Sequence, residues 1–393
     1  MVQKFFLFSY FLFRFSYAGF SQTDACHLRI SLLTCGPGEE LYSTFGHSAV
    51  RVTDSISNED IVYNYGTFSF DEPGFYTKFV RGKLMYYLST QDFISFKQDY
   101  EQEKRGMIEQ VLNLSCNEKN KMKNLLMQNL MSENKFYKYD FFFDNCTTRL
   151  RDLLERSADS SVHYATIVNK PTTFREHIFE YMDYYDKQWI KLGMDLLLGA
   201  KTDVVMNNRE AMFLPDYLLK AFDSASIGRK PVLKSKNIVI DIPAQKVTKN
   251  FFIDPLFIFS LLFIIIVLLG FSKNNSIQKS LYGFDGFIFF VAGFSGILIL
   301  FMWFGTDHIV CRNNYNLLWA WPTHAVMAFF IHSKKQWAKK YFLISAICNL
   351  LVLLAWFFLP QHMNTAFIPI ILLLIFRSYS SLRVPMNGLS ALE

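Results

Sequence analysis

The strongest constraint on this chain is a change of character near residue 250. Beyond Ile253 most residues are apolar, gathered in five runs at about 252–271, 284–304, 315–332, 341–359 and 364–377. A helix needs ~20 apolar residues to cross a bilayer. Inside lipid, every backbone polar group must find its partner within the protein, which leaves helices or closed barrels. Runs of this length predict an all-α bundle of about five transmembrane helices over 251–380. The first, second and fourth runs approach full length. The third contains Trp319, Pro322 and His324, and the fifth is short enough to be tilted or re-entrant. The bundle also accounts for a composition that is 51% hydrophobic with 42 Phe, too apolar for an ordinary soluble protein.

Charges between the runs fix the orientation. The loop 272–283 carries Lys273 and Lys279, "SKKQWAKK" at 333–340 carries four lysines, and the tail after Phe376 carries Arg377 and Arg383. The alternate loops hold Arg312 in one case and no Lys or Arg in "PQHMN". Basic loops stay cytoplasmic, so residues 22–250 and the loop 305–314 face outward. The N-terminus agrees. Lys4, the apolar "FFLFSYFLF" and the small residues of "SYAGFSQ" read as an export signal over 1–21, cleaved after Ala18 or Ser21. Residues 381–393 form a cytoplasmic tail. The net charge of +6 is spread without a long basic tract, which argues against nucleic acid. Six cysteines show neither a zinc spacing nor a CxxC, so no metal or other cofactor is expected. In an exported domain, one pair among Cys26, Cys35 and Cys116 could be bridged.

Two stretches of the outward part carry chemistry. In "STFGHSAVRV", residues 43–52, Ala49 and Arg51 alternate with Val50 and Val52, the pattern of a strand opened by His47. In "KFYKYDFFFDNCTTRLRDLLE", residues 135–155, Asp144 and Asn145 are good caps, and Leu150, Leu153 and Leu154 fall at helical spacing. Cys146 then sits in a first helical turn, where backbone N–H groups and the helix dipole favour a thiolate. A strand His and an apolar Cys are most often structural. Here Asp144, Asn145, Thr147, Thr148 and Arg149 surround the thiol with polar groups, which favours a nucleophile. His47 precedes Cys146 by 99 residues, the reverse of the papain order.

That order is the one found in circularly permuted papain-like proteins. More closely, the chain resembles the lipoprotein N-acyltransferase family of Bacteroidetes, often called Lnb. The matching stretches are "CGPGEELYSTFGHSAVRV", "VYNYGTFSF", "FVRGKLMYYL", "DNCTTRLRD" and, in the apolar half, "TDHIVCRNNYNLLWAWP". The resemblance implies an α+β, circularly permuted papain-like periplasmic domain on a multi-pass bundle in a bacterial inner membrane. It also implies transfer of an acyl chain from a phospholipid to the N-terminal amine of a diacylated lipoprotein, so its partners are the phospholipid donor, the lipoprotein acceptor and the membrane.

Within that frame Cys146 would attack an ester and His47 would carry protons. A third group should hold the imidazole; Asn64 is preferred, with Tyr63 and Tyr65 as rivals. Tyr63, Tyr65, Asn145, Arg81, Asp307 and His308 are expected at the substrates. Tyr76, Lys78, Arg81, Lys83, Tyr86 and Tyr87 suit lipid headgroups. His324, inside a span, is either functional or bonded to a helix backbone. Two other classes fit less well. A cell-envelope cysteine peptidase or amidase would use the same dyad but needs a single anchor rather than five spans. A non-enzymatic scaffold leaves both motifs to coincidence.

Overall fold

A computed structural model describes residues 26–243 and 246–383; the expected export signal over 1–21 and residues 384–393 of the expected tail lie outside them. The N-terminal part is an α+β domain. Its main sheet uses β1 (Leu28–Cys35), β2 (His47–Asp54), β3 (Glu59–Thr67), β4 (Met85–Asp92), β5 (Met107–Leu112) and β6 (Phe136–Lys138). Three two-residue strands, β7 (Val162–His163), β8 (Ser226–Ile227) and β9 (Lys230–Pro231), pair separately, and β10 (Leu233–Ile240) completes the main sheet. The strand order is β10-β5-β1-β2-β3-β4-β6, and every neighbouring pair is antiparallel. Neighbours of this kind need only short connections, and β1 to β3 follow one another as a meander.

The alternation read in β2 sorts its side chains onto two faces. Val50 and Val52 join a core beneath α3 (Cys116–Leu130), which follows α1 (Phe75–Val80) and α2 (Phe93–Gln102). Ala49 joins a second core with Phe96 of α2 on the other face, and Arg51 there lies over the Phe93 ring at 3.3 Å. The strand is covered on both faces rather than on one. After the short α4 (Ser132–Lys135) come α5 (Cys146–Ser157), α6 (Phe174–Tyr184), α7 (Gln188–Leu197) and α8 (Pro215–Ser224). Residues of α5 and α8 complete the first core. Asn145 and Thr148 close a capping box at the start of α5, which satisfies two N–H groups that a helix end otherwise leaves orphaned.

The apolar half forms α9 (Pro255–Gly270), α10 (Asn275–Phe304), α11 (His324–Met327), α12 (Gln336–Leu354) and α13 (Phe367–Arg383). Among the described residues, α10 and α12 are long and apolar enough to cross a membrane, while α9 and α13 are shorter apolar helices. The third run departs from the expected regular span. It is a broken path of a 3-10 turn at Tyr315–Leu318, the one-turn α11 and a second 3-10 turn at Ala328–Phe330. Pro322 removes a donor at its centre. The path lies against α10, where a Cβ on Gly293 or Gly296 would collide with the backbone of residues 320–325. Irregular backbone is tolerated at membrane depth when protein covers it. His324, fully buried, bonds the Trp319 backbone and two side chains of α12: Nδ1 pairs with Tyr341 Oη at 2.7 Å and Nε2 with Ser345 Oγ at 3.4 Å.

Arg377 also departs from expectation. It is not a tail residue, because α13 runs on to Arg383, and its guanidinium is buried against Asp285 of α10, with His332 3.0 Å from the same carboxylate. An arginine among apolar helices persists when a counter-charge meets it.

The two halves are docked. Leu192 of α7 belongs to the bundle core. The loop after α10 bonds the domain through Gly199 N–H to Val310 O at 2.9 Å and Asn314 Nδ2 to Leu196 O at 2.8 Å. The loop between α12 and α13 does so through Gln361 Nε2 to Leu198 O at 3.0 Å. These are the two loops poor in lysine, so the extramembranous domain caps the end of the bundle opposite the basic loops.

Candidate active site

Phenylalanine packing brings the two distant motifs together. Phe45, two residues before His47, lies 4.8 Å from Phe141, and Phe142 and Phe213 extend the cluster under the start of α5. Between Phe45 and the histidine, Gly46 adopts φ +80°, and a Cβ there would stand 2.7 Å from the carbonyl oxygen of Cys35. A left-handed residue pressed against a neighbouring strand has to be glycine.

His47 and Asn64 share one face of the β2–β3 pair. His47 Nε2–H donates to Asn64 Oδ1 at 3.2 Å. That bond leaves Nδ1 to face the thiol of Cys146, which is hydrogen-bonded to the ring. Tyr63 and Tyr65, the rivals of Asn64, point to the opposite face. Tyr63 Oη meets the Met127 sulfur at 3.8 Å, and Tyr65 Oη accepts from Asn129 Nδ2 at 2.6 Å. Both tyrosines are buried in the core.

Electrostatics couple the pair. Burial pushes the Cys146 thiol up, but the His47 charge, the His47 hydrogen bond and the Ser48 N–H outweigh it and bring the thiol down to about 7. Burial pushes His47 down, and the neighbouring thiolate with the bonds to Cys146 and Asn64 reverses the sign, so its pKa is raised. An imidazole against a thiol at a helix N-terminus is an arrangement that prepares a nucleophile. Cys35 and Cys311 differ: burial pushes each to about 12. No bridge joins the three cysteines considered for one: Cys116 is hydrogen-bonded to Cys26 and Cys35 to Tyr100, and all six cysteines are free thiols in the structure.

The remaining expected residues divide differently. Asn145 is not open to a substrate: its Oδ1 caps Thr148 N–H at 2.8 Å, and its Nδ2 donates to the Phe141 and Phe213 carbonyls at 2.7 and 2.8 Å. It builds the helix start that presents Cys146. Asp307 and His308 clamp the domains together. Asp307 pairs with Lys138 at 2.7 Å, its N–H donates to Arg81 O at 3.0 Å, and His308 Nε2 meets Val80 O at 3.2 Å. Arg81 is exposed beside them.

Sequence reasoning missed the Ser48 N–H and Tyr139. A backbone donor leaves no trace in residue type. Tyr139 stands within the quoted aromatic run, and its ring lies beside the thiol: a Cβ on Gly66 would be 3.4 Å from that ring and 3.7 Å from Cys146 Cβ. Among the described residues, no group of three His, Cys, Asp or Glu could hold a metal ion.

A thiol–imidazole–amide set in an α+β domain, fixed to the end of an apolar helical bundle, defines a polytopic membrane protein with its candidate site outside the lipid. Residues 15–180 match the family model described as the Lnb N-terminal periplasmic domain, and residues 246–387 match the Lnb transmembrane domain, whose model name specifies five transmembrane helices. The chain therefore belongs to the Lnb family, a family of N-acyltransferases, and its N-terminal domain is periplasmic. Neither the curated proteins nor the solved structures compared with it give a match.

Proposed function

We propose that this chain is a lipoprotein N-acyltransferase of a bacterial inner membrane that works through a thioester on Cys146. The observation that carries this reading is the lowered thiol of Cys146 against an imidazole held by Asn64, in a chain matched by both Lnb domains. In this reading residues 22–250 are the catalytic domain, a permuted papain-like unit, behind an export signal over 1–21. Residues 251–380 are the membrane domain and 381–393 its cytoplasmic tail.

The chemistry follows from the geometry. Cys146 thiolate attacks the ester carbonyl of a phospholipid. The N–H of Cys146, first in α5, faces the developing oxyanion. As the C–O bond breaks, the His47 imidazolium gives its proton to the departing lysophospholipid alkoxide, leaving a thioester and a neutral ring. The α-amine of a diacylated lipoprotein then attacks the thioester. His47 takes the amine proton, the amide forms and the thiolate returns. Asn64 holds the ring with Nε2 protonated, so that Nδ1 serves the thiol in both halves. Holding acyl carbon and amine together supplies an effective concentration worth up to ~7–11 kcal/mol, which lets an amine outrun water.

The test is mass spectrometry of purified protein given phospholipid and a diacylated lipopeptide. N-acyl peptide and lysophospholipid should appear in equal amounts. With phospholipid alone the protein should acylate itself at Cys146 and stall, and Cys146→Ala should do neither. Steady release of free fatty acid with unmodified lipopeptide would mean a lipase, and cleaved peptides a peptidase.

A further inference from the structure

One surface remains unexplained by the dyad. The stretch from Phe68 to Lys83, including α1, displays large apolar side chains to solvent: Tyr76 is 77% exposed, Phe70 63% and Phe79 51%. A soluble domain rarely leaves such a cluster uncovered. Its position says what covers it. Asp307 and His308, which bond Arg81 and Val80, come three and four residues after the end of α10 at Phe304. A Cβ on Gly82 would stand 3.1 Å from the His308 ring. Phe304 is itself 74% exposed at the last turn of that span. The patch is thus held where a membrane helix leaves the lipid. Basic groups surround it: Lys138 pairs with Asp307, Lys83 and Arg81 also act on that carboxylate, and Lys78 pairs with Glu72. Aromatic rings flanked by Lys and Arg suit the boundary between acyl chains and phosphates.

The rings also lead inward. Tyr139, beside Cys146, stacks on Tyr86 at 4.4 Å; Tyr86 meets Phe68 at 5.3 Å; Phe68 stacks on Phe75 at 5.9 Å; and Phe75 stacks on Phe79 at 6.0 Å. Burial pushes the Tyr86 hydroxyl up to about 12 and that of Tyr139 well above its ordinary value, so both rings stay uncharged.

We propose that the segment Phe68–Lys83 dips into the outer leaflet of the membrane, and that the ring track from Phe79 to Tyr139 guides one acyl chain of a phospholipid to Cys146. The guiding role rests on the acyltransferase reading above; the insertion does not. Phosphates meet Arg81 and Lys83 at the rim while the chain follows the rings, so the scissile ester is drawn toward the thiol.

Two measurements test it. The full chain, with Cys26, Cys116, Cys146 and Cys348 changed to Ser, is spin-labelled through Phe79→Cys or, as a control, through Ile94→Cys on α2, which is also exposed. After reconstitution in phosphatidylethanolamine–phosphatidylglycerol vesicles, a label at 79 should collide preferentially with oxygen. A label at 94 should collide with a water-soluble nickel chelate. Nickel access at 79 equal to that at 94, or shielding from both reagents as under a protein partner, overturns the insertion. Second, Phe79→Asp and Phe68→Ala should slow acylation of Cys146 by long-chain phospholipid at least tenfold, while acylation by p-nitrophenyl butyrate stays within twofold. Equal losses with both donors, or none, overturn the guide. If neither donor acylates Cys146 in the unaltered protein, the acyltransferase reading fails with the guide, and the spin-label result still decides the insertion.

Discussion

Removing the His47 side chain should take the reactivity of Cys146 out of the physiological range. Burial alone pushes that thiol upward, and the two largest opposing influences both come from His47. In His47→Ala both are lost while the burial, the Ser48 N–H and Thr147 remain, so the pKa rises from about 7 toward the ordinary 9.0. Two pKa units are about 2.7 kcal/mol. At pH 7 a thiol titrating near 7 is about half thiolate and one titrating near 9 about 1%, a fall of about 50-fold. The assay is the rate of iodoacetamide alkylation against pH, with Cys26, Cys116 and Cys348 replaced by Ser. Cys35 and Cys311 stay silent there, since burial holds both near 12. Thiolate forms as pH rises, so the unaltered pair should alkylate with a midpoint near 7, a value that belongs to the coupled pair. His47→Ala should move the midpoint up toward 9. Asn64→Ala should move it the same way by less, because Asn64 acts through His47. A midpoint that stays near 7 without His47 would refute the ion-pair account of this site.

Gly46→Ala forces a side chain into a left-handed residue, at a cost of about 1–2 kcal/mol, and against the Cys35 carbonyl. It should displace His47 and raise the alkylation midpoint, and an unchanged midpoint would show that this turn does not set the imidazole. Arg175 is fully buried, donates to Asp203 and to the Leu198 and Gly199 carbonyls, and pairs with buried Asp195. Arg175→Ala strands those carboxylates, which costs about 3–5 kcal/mol for a buried pair. Thermal unfolding in detergent should show a lower midpoint, and an unchanged Tm would argue against a stabilising role for this network.

Much of this molecule is written in local patterns. Apolar runs of fixed length, lysines gathered in alternate loops, the alternation of Ala49 to Val52 and the capped turn at Cys146 are each decided by neighbours in sequence, because helix, strand and bilayer impose short periods. Tyr63 and Tyr65 stayed open beside Asn64 in the sequence: adjacent strand residues face opposite ways, but only the pairing of β2 with β3 put Asn64 on the face of His47. What tertiary structure decided concerns partners far apart in the chain. Arg377 reads as a tail cation until Asp285, 92 residues earlier, meets it. Asn145 reads as a polar group beside the thiol until the Phe213 carbonyl claims its amide. Asp307 and His308 read as polar residues of an outward loop, and only the fold brings them to Lys138 and Val80. The third run reads as a regular helix until Gly293 and Gly296 of α10 offer a surface on which a broken path can lie. A side chain's type states which bonds it can make; which bond it makes depends on what the fold places within about 3 Å of it.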